Sequence, residues 1–335
     1  MTILTGFKSS LGFKELTSTS LVTTDPVEFV YVDNFKFNRD QSISQLDEVG
    51  IQGRAKKRMM FGDINATGSF TKNIDTENGI ALYKYIIGGS VTTASIGSGT
   101  FTHTFSESDE VLEAGGKVMR LQFTTNLGGQ TGTSRIWWNG IVDSYSLNCA
   151  NTNDVAKETI NLKFSDHGSL IANTMCAVSL TQVNPIVGRK VTIKLGATIT
   201  VVSVTVAKNI NFTINNNVKE SRELSGTNTV KDFQYGVKDI SGSFDLTFDS
   251  HGAYDNFVNN TSVAIQVNLL GDLTTSGTVH SISFNFPECY YTGSHPEVAG
   301  TGQLTLPIKF VANYGSNAGY QVNVQVVNST GTLVI

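Results

Sequence analysis

The sequence predicts a mainly β protein made of two tandem β-sandwich or partial-barrel domains, each with one short flanking α-helix. Three observations carry this. The first is composition: of 335 residues, 32 are glycine and 5 proline, and 16% are charged, against about 25% in an average soluble protein. Between the glycines lie runs of Val, Ile, Thr, Phe and Tyr, which suit a pleated, half-buried surface. The second is that several of these runs alternate apolar and polar residues, the period of a strand with one buried face. The third is an internal repeat. Phe61–Phe70 reads FGDINATGSF and Tyr235–Phe244 reads YGVKDISGSF. The two Gly-Ser-Phe triplets are offset by 242 − 68 = 174 residues, and the same offset carries Phe61 to Tyr235, Gly62 to Gly236, Thr67 to Ser241 and Tyr83 to Phe257. The length accommodates two domains of ordinary size.

Taken in order, residues 1–28 are rich in Ser and Thr and read as an N-terminal arm. They lack the basic region and apolar core of a secretory signal. Residues 29–175 form the first domain. Val32–Asn38 is an alternating strand, followed by a long polar loop from Arg39 to Met60 and then the Gly-Ser-Phe strand. Asp75 is placed to cap a helix running to Ile87, with Ile80, Tyr83, Ile86 and Ile87 on one face and Gly88-Gly89 as its stop. Phe101–Phe105 is a strand. Ile141–Asn148 and Thr159–Phe164 close the domain as a hairpin. The join falls between Ser165 and Pro185.

Residues 176–315 repeat this order. Lys208–Asn215 is the first strand, Asn216–Gln234 the polar loop, and the second Gly-Ser-Phe strand follows. Asp249 or Ser250 caps a helix with Tyr254, Phe257 and Val258 toward the core. His280–Phe286 and Gln303–Phe310 form the closing hairpin. A gap of three residues aligns Phe35-Lys36-Phe37-Asn38 with Phe212-Thr213-Ile214-Asn215, and Leu162-Lys163-Phe164 matches Ile308-Lys309-Phe310. Residues 316–335 form a C-terminal extension in which Tyr320–Val327 alternates strictly and reads as a strand, with Ser329-Thr330-Gly331 turning it into a last short one. It either folds onto its own domain or adds to a neighbour's sheet edge.

Chemistry is sparse. Asp166-His167-Gly168-Ser169 puts an acid, a histidine and a serine side by side, but a nucleophilic triad is defined by spatial geometry rather than adjacency. The five histidines (His103, His167, His251, His280, His295) form no His-Glu-x-x-His pair, and the three cysteines (Cys149, Cys176, Cys289) form no Cys-x-x-Cys pair, so no metal site, cofactor or catalytic residue is expected. The glycine clusters lack the Gly-Lys-Ser/Thr of a phosphate loop. Net charge is −4, unlike a domain built to grip nucleic acid, and no apolar run reaches the ~18 residues of a spanning helix. Trp137 and Trp138 are adjacent in a strand and so face opposite sides. One is expected in the core and the other at solvent or an interface.

The order of strand, polar loop, Gly-Ser-Phe strand, single helix and closing antiparallel strands, given twice, resembles the tail tube (major tail) proteins of long-tailed bacteriophages. The resemblance implies a structural protein and not an enzyme, placed in the virion tail and assembled in the host cytoplasm. In that family the inner sheets of neighbouring domains join into a closed ring, and rings stack into a tube. A tandem-duplicated chain implies homotrimeric, pseudo-hexameric rings. The implied partners are the chain itself, tape-measure and tail-end proteins, and double-stranded DNA passing without specific binding; no membrane is involved. The family's loop toward the adjacent ring matches the polar loops here. Asp47, Glu48, Arg54, Lys56, Lys57 and Arg58, then Lys219, Glu220, Arg222, Glu223, Lys231 and Asp232, are therefore inter-ring candidates, a solvated loop being the alternative. If Phe35, Phe37, Phe212 and Ile214 point inward, Lys36, Asn38, Thr213 and Asn215 face the lumen. Lys36 and Lys72 would then need nearby carboxylates. Another tail component of the same fold (terminator, distal adaptor or decoration protein) and a glycan-binding β-sandwich using Trp137 or Trp138 with Tyr290-Tyr291 are the alternatives.

Overall fold

The computed structural model describes residues 10–16, 28–46, 58–97, 99–107, 112–113, 117–118, 120–126, 134–167, 181, 183–205, 207–223, 228–247, 252–273, 277–294, 305–331 and 333. It is mainly β. The N-terminal half contains β1 (Ser10–Leu16), β2 (Glu28–Val30), β3 (Asn34–Leu46), β4 (Arg58–Asn73), α1 (Leu82–Ile87), β5 (Gly89–Gly97), β6 (Thr100–Glu107), β7 (Leu112–Glu113), β8 (Lys117–Val118), β9 (Arg120–Asn126), β10 (Ser134–Cys149), β11 (Lys157–Phe164) and β12 (Asp166–His167). The C-terminal half contains β13 (Val191–Thr198), β14 (Val201–Thr205), β15 (Ala207–Asn215), β16 (Lys219–Ser221), β17 (Asp232–Gln234), β18 (Asp239–Thr247), α2 (Gly252–Val258), β19 (Val263–Leu273), β20 (Val279–Ser294), β21 (Thr305–Asn313) and β22 (Asn323–Asn328).

One layer runs without a break through both halves, in the order β3–β4–β11–β10–β15–β18–β21–β20, every neighbour antiparallel. β11 and β15 alternate buried and less buried residues. On β11, Glu158, Ile160, Leu162 and Phe164 point inward, and on β15, Ile210, Phe212 and Ile214 do so. The other layer is built on β9 and β19, which carry β1 and β13. β10 and β20, 16 residues each, are long enough to serve both layers. They pair β9 and β19 with one end and β11 and β21 with the other. A single aromatic core lies between the layers. Phe70 of β4 packs on Phe123 of β9 at 5.8 Å, and Phe212 of β15 on Phe284 of β20 at 5.0 Å. Phe284 also meets Tyr83 and Tyr145 of the other half, at 5.6 and 5.8 Å, so the core crosses the midpoint of the chain.

The repeated Gly-Ser-Phe has a packing reason. A Cβ on Gly68 would lie 2.7 Å from the Phe37 ring and 2.8 Å from Phe164, and one on Gly242 would lie 2.6 Å from the Phe310 ring. In each half only glycine lets aromatic rings cross the strand there. The register pairs Gly68 with Phe37 and Leu162, and Gly242 with Phe212 and Phe310. The equivalent of Phe37 is therefore Phe212, and that of Leu162 is Phe310. The sequence alignment is out by two residues at both strands. A slip of two keeps every side chain on its face, so alternation cannot detect it.

Several expectations are corrected. Residues Arg39–Leu46 and Arg58–Met60, read as loop, extend β3 and β4 as a two-stranded ribbon, paired from Arg39↔Ala66 to Leu46↔Arg58 with a register shift between Gln41 and Ile43. The segment read as an N-terminal arm contains β1, whose Leu11, Phe13 and Leu16 are buried. Asp75 caps a turn and not the helix: its Oδ1 accepts the N–H groups of Glu77 (2.9 Å) and Asn78 (2.6 Å), and α1 starts only at Leu82. That helix is buried all round except at Lys84 and ends, as expected, with Gly88 at φ 64°. In α2, Tyr254 and Phe257 are half-buried but Val258 is 56% exposed, not core-facing. The closing hairpin of the C-terminal half uses Glu288–Ser294 with Ile308–Asn313, whereas Ser281–Asn285 pair with β22. Strand β22 is sandwiched between β20 and β6, so it bridges the two halves. The described residues after Asn328 form no strand. The boundary at 175/176 and the helix caps Asp249 and Ser250 lie outside the described residues.

Candidate assembly surfaces

The outward face of the continuous layer carries the alternate residues of each strand. Lys36 and Asn38 on β3 and Thr213 on β15 are exposed there, and Asn215 is half-buried. Their neighbours are chiefly short hydroxyls and amides that bond to one another: Thr71 to Thr159 at 3.0 Å, Asn161 donating to Ser144 at 2.9 Å, Ser243 donating to Asn211 at 3.2 Å. Lys157 and Lys163 are matched by Asp33 (2.8 Å) and Asp143 (3.3 Å). The face is polar, and Lys36 and Lys309 also stand exposed on it.

Lys72 is not on that face. It shares the inward side of β4 with Phe70 and is 1% exposed. Its Nζ lies 2.9 Å from Glu158 Oε1, also 1% exposed, and donates to the Asn78 carbonyl at 2.9 Å. Glu158 Oε2 accepts the hydroxyls of Tyr83 (3.0 Å) and Tyr145 (2.9 Å). Burial pulls the Lys72 ammonium toward neutrality, but Glu158 and Asp75 hold its pKa above the ordinary lysine value. Burial and then Glu158 push both tyrosines well up. The lysine and carboxylate thus form a closed ionic knot under α1.

The two polar segments behave differently. In the first, Asp47, Glu48, Arg54, Lys56 and Lys57 lie outside the described residues, and Arg58 opens β4 opposite Leu46. The ribbon's apolar residues face solvent: Ile43 is 55% exposed, Met60 56% and Phe61 60%. The second segment folds back onto the N-terminal half. Val218, Val230 and Phe233 are buried with Ile141 of β10 in a satellite cluster, with Tyr235 packed against it. Arg222 donates to the Ile64 carbonyl at 3.0 Å and contacts Glu220 at 2.7 Å. Asp232 meets Arg120, 6% exposed, at 2.6 Å. Lys219 and Glu220 are exposed, and Lys231 pairs with Glu223 near the surface. The structure therefore spends Arg222 and Asp232 on contacts within the chain.

Trp137 is 3% exposed among Phe37, Phe164 and His167, and Trp138 is half-buried beside β12. His103 is fully buried and bonded to Thr93, Asn328 and Thr330. Asp166 accepts from Arg39 at 2.8 Å. Its companions Gly168 and Ser169, like His251, His295 and Cys176, lie outside the described residues. Two strand edges matter most, and sequence reasoning did not specify them. Among the described residues, β3 pairs only with β4, and β20 beyond Cys289 pairs only with β21. The alternating pattern marks faces but not edges. The signal for the edges was the repeat itself, since the first strand of the C-terminal half has a partner, β10, that the first strand of the N-terminal half lacks.

A polar-faced β layer that runs across both halves and stops at two open edges defines a protein of the β-sandwich class. The particular family is given by comparison: the model of the phage tail tube protein family matches residues 6–312. The chain belongs to that family, a structural and not an enzymatic one, whose members are components of the virion tail. No curated protein matches it.

Proposed function

We propose that this chain is the tail tube subunit itself, a tandem duplication whose homotrimeric rings stack into a hollow conduit for DNA around a tape-measure protein. The observation that carries this reading is the β10–β15 pairing, Ser144↔Asn215 through Cys149↔Ile210. It joins the sheets of the two halves edge to edge. The same strand pairs recur on each side of it: β3, β4, β11 and β10 correspond to β15, β18, β21 and β20. Both β10 and β20 bear a register shift at the same point, Val142/Ser144 and Tyr291/Gly293. An edge like that of β10 on β20 and an edge like that of β15 on β3 are complementary. Joining them between chains repeats a head-to-tail contact, which closes when the rotation divides the circle and leaves neither of these two edges exposed.

The polar outward face would then line the channel, with Lys36, Asn38, Thr213 and Asn215 on it. Its short hydroxyls and amides suit a wall past which phosphates slide without being held. The exposed charges Lys219, Glu220, Glu223 and Lys231, together with Asp47–Arg58, are the candidates for contacts between stacked rings, where charge complementarity sets register. The test is negative-stain electron microscopy of the purified protein over a range of concentrations. Rings or striated tubes with a central hole and three-fold or near-six-fold symmetry are expected. A monomer at every concentration overturns the proposal, and rings that never stack reassign the chain to a terminator or adaptor.

A further inference from the structure

The contact between the second polar segment and β10 shows what the exposed face of the first ribbon is shaped to meet. Along β16 and β17 the register ends at Lys219↔Gln234, one residue short of Val218 and Tyr235. In the ribbon, Ile43 stands opposite Phe61. The offset of 174 that relates Gly68 to Gly242 carries Phe61 to Tyr235. The offset of 175 that relates Phe37 to Phe212 carries Ile43 to Val218. Val218 is 5% exposed and Tyr235 is packed beside it, both against Ile141, itself 1% exposed. Ile43 and Phe61, at 55% and 60%, have the same placement without the cover.

Val218 shares its cluster with Ile141, the residue before Val142, where the register of β10 shifts. Its counterpart in β20 is Tyr290, the residue before Tyr291, where that register shifts. Tyr290 is half-buried, and its hydroxyl donates to Glu288 at 2.9 Å. It stands at the start of the open edge of β20. Among the described residues, Tyr290 and the Ile43–Phe61 face stand at opposite ends of the continuous layer.

We propose that the Ile43–Phe61 face of the β3–β4 ribbon is a docking surface for a second copy of this chain, whose Tyr290 and adjoining β20 edge sit on it. The contact repeats between chains what Val218 and Tyr235 make with Ile141 within one chain. It rests on the ring reading above. It adds a side-chain lock to the backbone pairing, in the plane of the ring and apart from stacking. The ribbon is then a clasp between neighbours.

Two variants test it. Phe61→Asp leaves the fold intact, because the side chain is exposed. Its melting temperature as a monomer stays within about 1 °C of the parent, while the concentration for half-assembly rises at least tenfold, about what loss of one buried aromatic contact gives. In addition, mixing Phe61→Cys chains with Tyr290→Cys chains under mild oxidation gives a covalent dimer on a non-reducing gel, and neither variant alone gives it. Assembly unchanged by Phe61→Asp together with no mixed dimer overturns the docking surface while leaving the tube reading in place. The cross-link reports docking whether or not closed rings form, so the two proposals fail separately.

Discussion

The buried pair Lys72–Glu158 makes a quantitative test of what holds the two layers under α1. At 2.9 Å and an effective dielectric of about 20, the gross attraction is about 6 kcal/mol. Removing both charges from water costs several kcal/mol each, so the net worth of the pair is small while the cost of leaving either charge alone is large. Lys72→Met strands a carboxylate held only by two tyrosine hydroxyls, and Glu158→Gln strands an ammonium held by the Asn78 carbonyl. Each single variant is expected to lose about 3–5 kcal/mol. The double variant leaves neither charge of the pair, and its glutamine oxygen still accepts from Tyr83 and Tyr145. Its cost should be about 1–3 kcal/mol, chiefly for the orphaned carbonyl. The coupling energy is then at least about 3 kcal/mol. Urea unfolding at pH 7 measures it, at one fixed concentration low enough to keep the chain monomeric. Additivity of the two single losses to within about 0.5 kcal/mol would refute the reasoning.

Other expectations follow from single sites. Burial raises the Glu28 pKa from 4.5 to about 7, opposed by the Gly79 N–H and by Lys72. The folded state therefore keeps a proton that the unfolded state has lost, and stability falls as pH rises from about 4.5 to 7. Glu28→Gln should flatten that slope and gain up to about 3 kcal/mol at pH 8; denaturation midpoints at pH 5 and pH 8 that shift equally would contradict it. Gly68→Ala places a methyl against the rings of Phe37 and Phe164 and should lose about 1–3 kcal/mol, whereas a neutral result in thermal unfolding would mean that the rings give way. Glu107 binds Lys238 through one oxygen and the Gln321 and Val322 N–H groups through the other. Glu107→Leu removes all of these and should lose about 3–5 kcal/mol, with faster hydrogen exchange in β22; unchanged exchange there would count against its role as a tie.

Strand faces were legible because alternation records burial directly: Phe37, Phe212 and Ile214 lie inward, and Lys36 and Thr213 outward, as their spacing requires. The ribbon was not, because a two-stranded extension with solvent on both faces needs no apolar alternation, and Arg39–Ser44 looks like loop. Asp75 misled for a chemical reason. A carboxylate that accepts the N–H groups two and three residues ahead serves a tight turn as well as a helix start. Lys72 carried a readable sign, since it follows Phe70 by two and Glu158 precedes Ile160 by two, placing both on the inward side. Their pairing across 86 residues was beyond any local pattern. The folding back of Asn216–Gln234 was likewise hidden, because Val218, Val230 and Phe233 are spaced too irregularly to announce a shared partner.

The position of β22 has a consequence for synthesis. Strand β6 receives its outer neighbour only when Asn323–Asn328 arrive, and Glu77 in the turn before α1 is bonded by Ser329 and Thr330. A ribosome-bound chain that has completed its first half still lacks both. The contacts that finish that half are separated from it by more than 200 residues of chain, so they form late. A truncated product is thereby marked by an open β6 edge. The first half is therefore finished only after the chain has been made through Thr330.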